Sequence, residues 1–204
     1  MSIIFVRHGE TLLNVARTLQ PADTPLSPTG LAQAQAVARR LAGMGIGGIV
    51  SSDLPRARTT AQAIADATGL PVRETPLLQE RNFGDLRGRS YDSLGYNPLD
   101  MEEAPPGGES AAVFFDRVAQ AFDDAVRHRH ALSAPLVVVT HGLVIHALLQ
   151  RHLHVAGPHA VPVRMGNTSL TVCDALPPHG VSLVDCTGHL SGAVVDKAAS
   201  LSGG

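Results

Sequence analysis

Two short apolar runs of the chain each end on a histidine that is followed by a glycine, as Arg-His-Gly at residues 7–9 and as Thr-His-Gly at 140–142. A histidine can act as a nucleophile when one ring nitrogen is held by a hydrogen bond and the other is free. Arg7, beside the first histidine, carries a planar fork of donors that suits a tetrahedral oxyanion. These residue types indicate a site for an anionic group.

A third basic centre, Arg56, lies in the sequence Ser-Asp-Leu-Pro-Arg-Ala at 52–57, directly after another short apolar run. In an open parallel sheet, the carboxyl ends of the strands line the ligand crevice. We therefore expect Arg7, Arg56 and His141 to surround His8. Such a positive pocket would bind phosphate and would stabilise the charge on a transferring phosphoryl group.

The elements that must position these residues are strands alternating with helices. Continuous apolar runs predict strands that are buried on both faces. Capping residues and prolines, followed by apolar residues at helical spacing, predict the helices. The predicted strands are 3–6, 49–50, 136–139, 169–173 and 181–186, and the predicted helices begin near residues 27, 55, 110 and 142. This order is typical of an α/β protein.

The longest stretch without periodicity covers residues 75–108 and is rich in glycine, proline and charged residues. Long irregular loops in compact domains often cover binding sites. We interpret 75–108 as a cap or substrate loop and expect its part 84–108 to set substrate choice. The whole of 1–197 is predicted to form a single domain, with a frayed tail at 198–204.

Composition excludes several functional classes. The chain has 204 residues, 44% of them apolar, and a net charge of −2, which argues against a broad nucleic-acid surface. No apolar run approaches the roughly 20 residues of a membrane-spanning helix, and no signal peptide is recognisable. We therefore expect a cytoplasmic protein. The ten histidines do not cluster at metal-ligand spacing, so neither a metal nor another cofactor is predicted.

Four blocks of sequence, in order, resemble the histidine phosphatase superfamily, which contains cofactor-dependent phosphoglycerate mutases and many broad acid phosphatases. The blocks are Arg-His-Gly-Glu-Thr at 7–11 together with Asn14, residues 52–61, Glu-Arg-Asn-Phe-Gly at 80–84, and Thr-His-Gly at 140–142. The resemblance extends over about residues 2–190. It implies a three-layer α/β/α sandwich with a mostly parallel central sheet.

The resemblance also implies roles for single residues. His8 would be the nucleophile that becomes phosphohistidine, and Glu80 would give a proton to the leaving alkoxide and then serve as base for water. Residues implied to bind phosphate are Arg7, Asn14, Arg56, His141 and Gly142. Thr11 and Arg81 would contact the rest of the substrate, Arg81 at the place where mutases read a carboxylate. No metal is needed in this scheme, because arginines supply the positive charge.

Some assignments have alternatives in the sequence itself. Asp53 and Asp85 are other acids that could replace Glu80 as proton donor, and Arg81 could simply pair with Glu80. Thr11 could have a purely structural role. Arg58 lies close to Arg56 on the same predicted helix and is expected to face solvent or an acidic partner.

The length of the segment that would cover the site, between Glu80 and His141, predicts the type of reaction. A mutase must exclude water from its phosphoryl-enzyme, which demands a closed and specifically shaped cover. The mutases of the family carry a longer segment between the glutamate block and the second histidine, whereas 61 positions separate Glu80 from His141 here. We therefore favour hydrolysis of small phosphomonoesters over mutase chemistry.

Two further classes stay open. A phosphoprotein phosphatase would need an exposed apolar patch beside the pocket, for which 95–106 is the candidate segment. A binding module that has lost catalysis would have lost some of the site residues, and all are present. The expected partner is a small phosphorylated substrate, with no nucleic acid or membrane and with a possible homodimer.

Overall fold

The computed structural model describes residues 1–156 and 164–190. The strands are β1 (Ser2–Arg7), β2 (Gly48–Ser52), β3 (Val72–Thr75), β4 (Leu136–Thr140), β5 (Leu170–Asp174) and β6 (Val181–Cys186). The helices are α1 (Leu12–Val15), α2 (Pro28–Ala42), α3 (Pro55–Thr68), α4 (Ala111–His130) and α5 (Gly142–Arg151). The predicted α/β class is confirmed, and so is each predicted strand and helix within the described residues.

The six strands form one sheet in the order β3-β2-β4-β1-β5-β6. The first four of these strands are parallel, while β5 pairs antiparallel with its two neighbours, β1 and β6. β1 and β4 lie side by side in the middle of the sheet and are paired from Ile3 with Leu136 to Arg7 with Thr140. This register brings the two histidine blocks to the same edge, because each follows the last residue of its strand.

Helices cover both faces of the sheet, as the alternation of side chains along β1 shows. Ile3 and Phe5 pack among residues of α4 and α5, whereas Ile4 and Val6 pack among residues of α2 and α3. All four are essentially inaccessible to solvent. Strands buried on both faces read as continuous apolar runs, which is why β1 and β4 were recognisable in the sequence. The result is the three-layer arrangement that the resemblance implied.

Two elements were not predicted. β3 is an edge strand in which every residue is at least partly exposed, so it carries no apolar run. The four-residue helix α1 is too short for a helical period, and it is held by the Thr11 side chain at its N-terminus. Its position matters because it follows directly on the first histidine block.

After Thr75, which ends β3, the segment up to residue 108 contains four short 3₁₀ turns, at Pro76–Leu78, Gly84–Leu86, Tyr91–Ser93 and Pro98–Asp100. The irregular structure predicted there is confirmed, while its action as a cap stays a prediction. The tail 198–204 and the last residues of the predicted domain lie outside the described residues. In the part of the chain that is described, no helix combines the length and the apolar character needed to cross a membrane.

Candidate active site

The loop after β1 is packed tightly onto the start of α2. A Cβ atom on Gly9 would lie 2.5 Å from the Gly30 carbonyl oxygen, and one on Gly30 would lie 2.0 Å from the Glu10 carbonyl oxygen, so only glycine fits at either position. The Ser27 hydroxyl, which caps α2, donates to the Glu10 carboxylate at 2.8 Å. The glycine and glutamate of the first block therefore fix the loop that carries His8.

His8 is held in the orientation that a nucleophile requires. Its Nδ1 lies 2.7 Å from the Gly9 carbonyl oxygen, which can only accept, so Nδ1 carries the hydrogen and Nε2 keeps its lone pair. The His8 backbone N–H donates to Thr140 of β4 at 2.9 Å. The Asn167 side-chain amide donates to the His8 carbonyl at 3.1 Å. Backbone and ring are therefore both fixed, and the lone pair on Nε2 is left available for a reaction.

His141 faces His8 at a distance of 5.1 Å between ring centroids. Its Nε2 lies 2.9 Å from the Ser52 hydroxyl oxygen, which also accepts from the Leu54 backbone N–H at 3.3 Å. Its Nδ1 is buried and has no hydrogen-bond partner within residues 1–156 and 164–190. This arrangement lets Ser52 donate to Nε2, in which case Nδ1 bears a hydrogen that can be donated to a phosphoryl oxygen.

Arg7 and Arg56 place two buried guanidinium groups at the site. Arg7 is inaccessible to solvent, and its Nη1 donates to the Met165 carbonyl. Arg56 is 2% exposed, donates weakly to the carbonyls of Pro21 and Ala22 at 3.3 and 3.4 Å, and forms no salt bridge with any residue in the described ranges. A buried cation without a paired anion is costly, so Arg56 favours binding of an anionic ligand.

Burial and these cations keep both histidines neutral. Desolvation, followed by the charges of Arg56 and Arg7, lowers the pKa of His8 well below its ordinary value. Desolvation and Arg56 also lower the pKa of His141. Burial lowers the pKa of Arg56 to about 10, so this side chain stays charged at neutral pH. A neutral imidazole between two charged guanidinium groups is the protonation state that a nucleophile needs.

Glu80 is fixed at the N-terminus of α5. Its two carboxylate oxygens accept from the backbone N–H groups of Arg81 and Leu143, each at 3.1 Å. Burial raises the pKa of Glu80, and these two hydrogen bonds and the charges of Arg56 and Arg7 oppose that effect only in part. A carboxyl group with a raised pKa is suited to donate a proton and then to take one back.

Asp53 and Asp85, the alternative acids in the sequence, do not share the contacts of Glu80. Asp53 accepts from the Gln79 side chain at 2.8 Å and is half-buried. Asp85 is exposed, in the short turn that follows Phe83. The charges of Arg56 and Arg7 act instead on the Glu80 carboxyl group, whose pKa they lower against the larger effect of burial. Glu80 is therefore the better candidate acid, because it lies near these two arginines.

Asn14 and Thr11 hold each other at the start of α1. The Asn14 side-chain oxygen accepts from the Thr11 N–H at 3.1 Å, and the Thr11 hydroxyl accepts from the Asn14 N–H at 3.0 Å and donates to Gln20 at 2.9 Å. The Asn14 Nδ2 atom is buried and has no partner among the described residues, so it remains available to a phosphoryl oxygen. Thr11 thus has a structural role, and its contact with substrate stays a prediction.

Gly142 is the first residue of α5, directly after His141, and is buried. Its backbone therefore lies at the N-terminal end of this helix, the end that favours anions.

Arg58 is exposed, as predicted, and lies 4.0 Å from Glu74. Within the described ranges, no three His, Cys, Asp or Glu side chains converge as metal ligands would.

Arg81 lies at the wall of a cavity of about 950 Å³, which Leu143 also lines but His8, Glu80 and His141 do not. Its Nη2 donates to the Met101 carbonyl at 2.6 Å, and its guanidinium lies 5.2 Å from the centre of the Phe83 ring. Residues 97–103 form one wall of the cavity, and the start of α4 and one face of α5 along its whole length form the others. The cavity has the size of a small-molecule site, and the irregular loop contributes directly to it.

The sequence did not predict a role for two side chains that lie in the site, those of Ser52 and Asn167. Ser52 belongs to the second block, but its contact with His141 depends on the β2–β4 pairing. Asn167 is buried and joins the His8 carbonyl to the Asn14 side chain, with its amide 3.3 Å from the Asn14 oxygen. It lies far along the chain and outside the four blocks, so no spacing pattern pointed to it.

The two neutral histidines make the free energy of unfolding depend on pH. In the unfolded chain they take up protons near their ordinary pKa of 6.5, whereas in the folded state they resist protonation. The free energy of unfolding should therefore fall as the pH drops below about 6.5, by up to about 1.4 kcal/mol per pH unit for each histidine. Urea unfolding of wild type and His8→Asn between about pH 5 and 7 tests this. We expect the shallower slope in the variant, and equal slopes would contradict a neutral His8.

Comparison with known proteins places these residues in a family context. Residues 3–183 match the family model described as "Histidine phosphatase superfamily (branch 1)". The chain is 37% identical over 184 residues to the "Probable phosphoglycerate mutase GpmB" of Yersinia pestis (strain Pestoides F), and the match covers 85% of each chain.

Solved structures with the same fold include two named phosphatases. The mycobacterial glucosyl-3-phosphoglycerate phosphatase in complex with VO3 is 33% identical, with a TM-score of 0.73, over 85% of this chain and 90% of that chain. The alpha-ribazole phosphatase of Shigella flexneri has a TM-score of 0.78 at 24% identity, over 94% of this chain and 98% of that chain, which supports the fold alone.

Proposed function

The chain belongs to the histidine phosphatase superfamily, and we propose that it is a metal-independent phosphomonoester hydrolase that acts on small phosphorylated metabolites through a phosphohistidine. The observation that carries this proposal is the state of His8. Its Nδ1 donates to the Gly9 carbonyl, its Nε2 is free to react, and burial, with the charges of Arg56 and Arg7, lowers its pKa so that it stays neutral.

In the first step, the lone pair on His8 Nε2 forms a bond to phosphorus, and the bond from phosphorus to the ester oxygen breaks. The leaving alkoxide takes the proton of the Glu80 carboxyl group, so that the alcohol departs neutral. Arg7, Arg56 and the Nδ1 hydrogen of His141 contact the phosphoryl oxygens and stabilise the charge on them. The Asn14 amide adds a neutral donor.

In the second step, water attacks the phosphorus of the phosphohistidine. The Glu80 carboxylate takes one proton from the water, the bond from nitrogen to phosphorus breaks, and His8 is released as a neutral imidazole with inorganic phosphate as the product. Glu80 therefore serves as acid in one step and as base in the next. Its position next to backbone donors and two arginines suits a carboxyl group that must exist in both states.

A phosphoglycerate mutase is the second candidate, because the GpmB relatives carry that name. The match covers the same share of both chains, so GpmB has about the same length as this chain. The short segment between Glu80 and His141 therefore does not distinguish the chain from this relative. The glucosyl-3-phosphoglycerate phosphatase among the structural neighbours supports hydrolysis.

The cavity supports a small organic leaving group as the second half of the substrate. It is lined by carboxylates at residues 100, 102 and 103 and by the guanidinium groups of Arg81 and Arg151, so it offers both acceptors and donors. We also propose a cytoplasmic location and a small-molecule partner rather than nucleic acid or a membrane. The oligomeric state, for which a homodimer is the expectation, is to be measured in solution.

Competition by phosphate analogues tests the pocket. Inorganic phosphate and vanadate should inhibit hydrolysis of p-nitrophenyl phosphate competitively in excess EDTA. Arg56→Gln should raise both inhibition constants about 10- to 100-fold, because it removes charge-assisted hydrogen bonds from a buried anion site. Arg58→Gln is the matched control, since Arg58 is 53% exposed and lies two positions along the same helix. Similar inhibition constants in the two variants would contradict the proposed pocket.

A further inference from the structure

Arg117, on the inner side of α4, uses all five of its N–H donors on one short stretch of chain and on one carboxylate. Its Nη1 donates to the carbonyls of Leu77 at 2.9 Å and Gln79 at 2.7 Å, and its Nη2 donates to the Glu80 carbonyl at 3.5 Å. Its Nε and Nη2 form a two-point pair with the Glu109 carboxylate at 3.3 and 2.5 Å. Only a planar guanidinium can make this set of contacts.

Glu109 binds the backbone of the same stretch at Asn82, on the C-terminal side of Glu80. Its Oε1 accepts from the Asn82 backbone N–H at 2.8 Å, and its own N–H donates to the Asn82 carbonyl at 2.9 Å. The side chains of Arg117 and Glu109 are 19% and 13% exposed, so water competes little with this pair. Together they bind the backbone at 77, 79, 80 and 82, on both sides of the candidate acid.

These contacts also close the base of the irregular loop. The Asp85 N–H donates to the Pro106 carbonyl at 2.9 Å, and the Asn82 side chain donates to the Gly107 carbonyl at 3.2 Å. A Cβ atom on Gly84 would lie 2.0 Å from the Pro106 carbonyl oxygen, so the two ends of the loop are in direct contact. The start and the end of the loop are thus joined at the place where Arg117 and Glu109 meet.

The Glu80 carboxylate depends on this frame for its position. Among the described residues, its side chain accepts hydrogen bonds only from the backbone N–H groups of Arg81 and Leu143, and Arg81 belongs to the stretch that the pair holds. A displacement of the backbone at 77–82 would therefore move the carboxylate away from Leu143 and from the leaving oxygen. Misplacement of a catalytic group by about 1 Å can cost about 100-fold in rate.

From these contacts we propose that Arg117 and Glu109 form a positioning pair, which sets the general acid Glu80 against the leaving-group oxygen and fastens the base of the substrate loop. The proposal rests on the hydrolase function proposed above. Neither residue contacts the phosphoryl group in this arrangement. Their effect should therefore appear in proton transfer to the leaving group and not in phosphate binding.

The test compares leaving groups in Arg117→Lys. Lysine keeps the charge but cannot bind three carbonyls and a carboxylate at once. The kcat/KM for an alkyl phosphate such as β-glycerol phosphate should fall about tenfold or more, because the alkoxide needs a proton. The kcat/KM for p-nitrophenyl phosphate should fall less than about threefold, since nitrophenolate leaves without one. Inhibition by inorganic phosphate should be unchanged. Arg127→Lys is the control, on the exposed side of the same helix and paired with Asp124.

Equal losses for both substrates, or no loss for either, would overturn the proposal, since the pair would then serve only stability or binding. If Arg117→Lys does not fold, Glu109→Gln decides the question by the same comparison, because it removes one charge and leaves Arg117 in place. Wild type that shows no His8-dependent hydrolysis of p-nitrophenyl phosphate would instead refute the hydrolase function itself. The two failures are therefore distinguishable.

Discussion

Replacement of His8 by asparagine should abolish turnover on every phosphomonoester, with a loss on the order of 10⁴-fold or more in kcat. The reason is that the lone pair on His8 Nε2 attacks phosphorus, whereas the free Nδ1 of His141 bears a hydrogen when Ser52 donates to its Nε2. The amide of asparagine can donate to the Gly9 carbonyl as Nδ1 does, so the loop should keep its conformation. Steady-state hydrolysis of p-nitrophenyl phosphate in excess EDTA measures the effect.

The control is that the variant still folds and still binds phosphate. Far-UV circular dichroism should be unchanged, and titration with inorganic phosphate should still detect binding, because the arginines and His141 remain. A folded His8→Asn protein with wild-type activity would rule out His8 as the nucleophile. Another histidine near the site, such as His146 at the cavity wall, would then have to be examined.

Replacement of Glu80 by glutamine should separate substrates by their leaving groups. For alkyl phosphates we expect kcat/KM to fall about 10²- to 10⁴-fold, the usual contribution of a general acid. For p-nitrophenyl phosphate the loss in kcat/KM should be less than about tenfold, since nitrophenolate departs unprotonated. Attack of water on the phosphohistidine would still lack its base, so the variant should release a burst of nitrophenolate before slow turnover.

Asp53→Asn and Asp85→Asn are the matched controls, because both residues were alternative acids in the sequence. Neither variant should show dependence on the leaving group, as Asp53 is bound to Gln79 and Asp85 lies in the turn after Phe83. Equal losses for alkyl and aryl substrates in Glu80→Gln, without a burst, would contradict its action as acid and base. A leaving-group effect in either control would transfer the role to that residue.

The sheet and the residues at its carboxyl edge were predictable because the physics that positions them is local. The core strands β1 and β4 are buried on both faces and so appear as continuous apolar runs, and each ends at a histidine. In the sheet these two strands are parallel neighbours, which brings His8 and His141 to the same edge. The prolines at the first positions of α2 and α3 are likewise local signals, and they allowed the starts of those helices to be predicted.

Other parts of the site were not predictable, because they depend on contacts between distant segments. The partnership of Ser52 with His141 follows from strand order, and the approach of Asn167 to His8 follows from the turn before β5. The pair of Arg117 with Glu109 spans eight positions across a helix start. In the sequence, Arg117 resembles any arginine on an amphipathic helix. Polar networks of this kind leave no periodic signal.

The measurement that tests the central claim most directly is the trapping of a phosphoryl-enzyme. Wild type and Glu80→Gln are mixed with p-nitrophenyl phosphate in excess EDTA, quenched in alkali within the first turnover, and digested for mass spectrometry. The account predicts a phosphoryl group on the peptide containing His8, stable in alkali and lost in acid, with more of it in Glu80→Gln. A phosphoryl group on another residue, or none during active turnover, would contradict a phosphohistidine mechanism at His8.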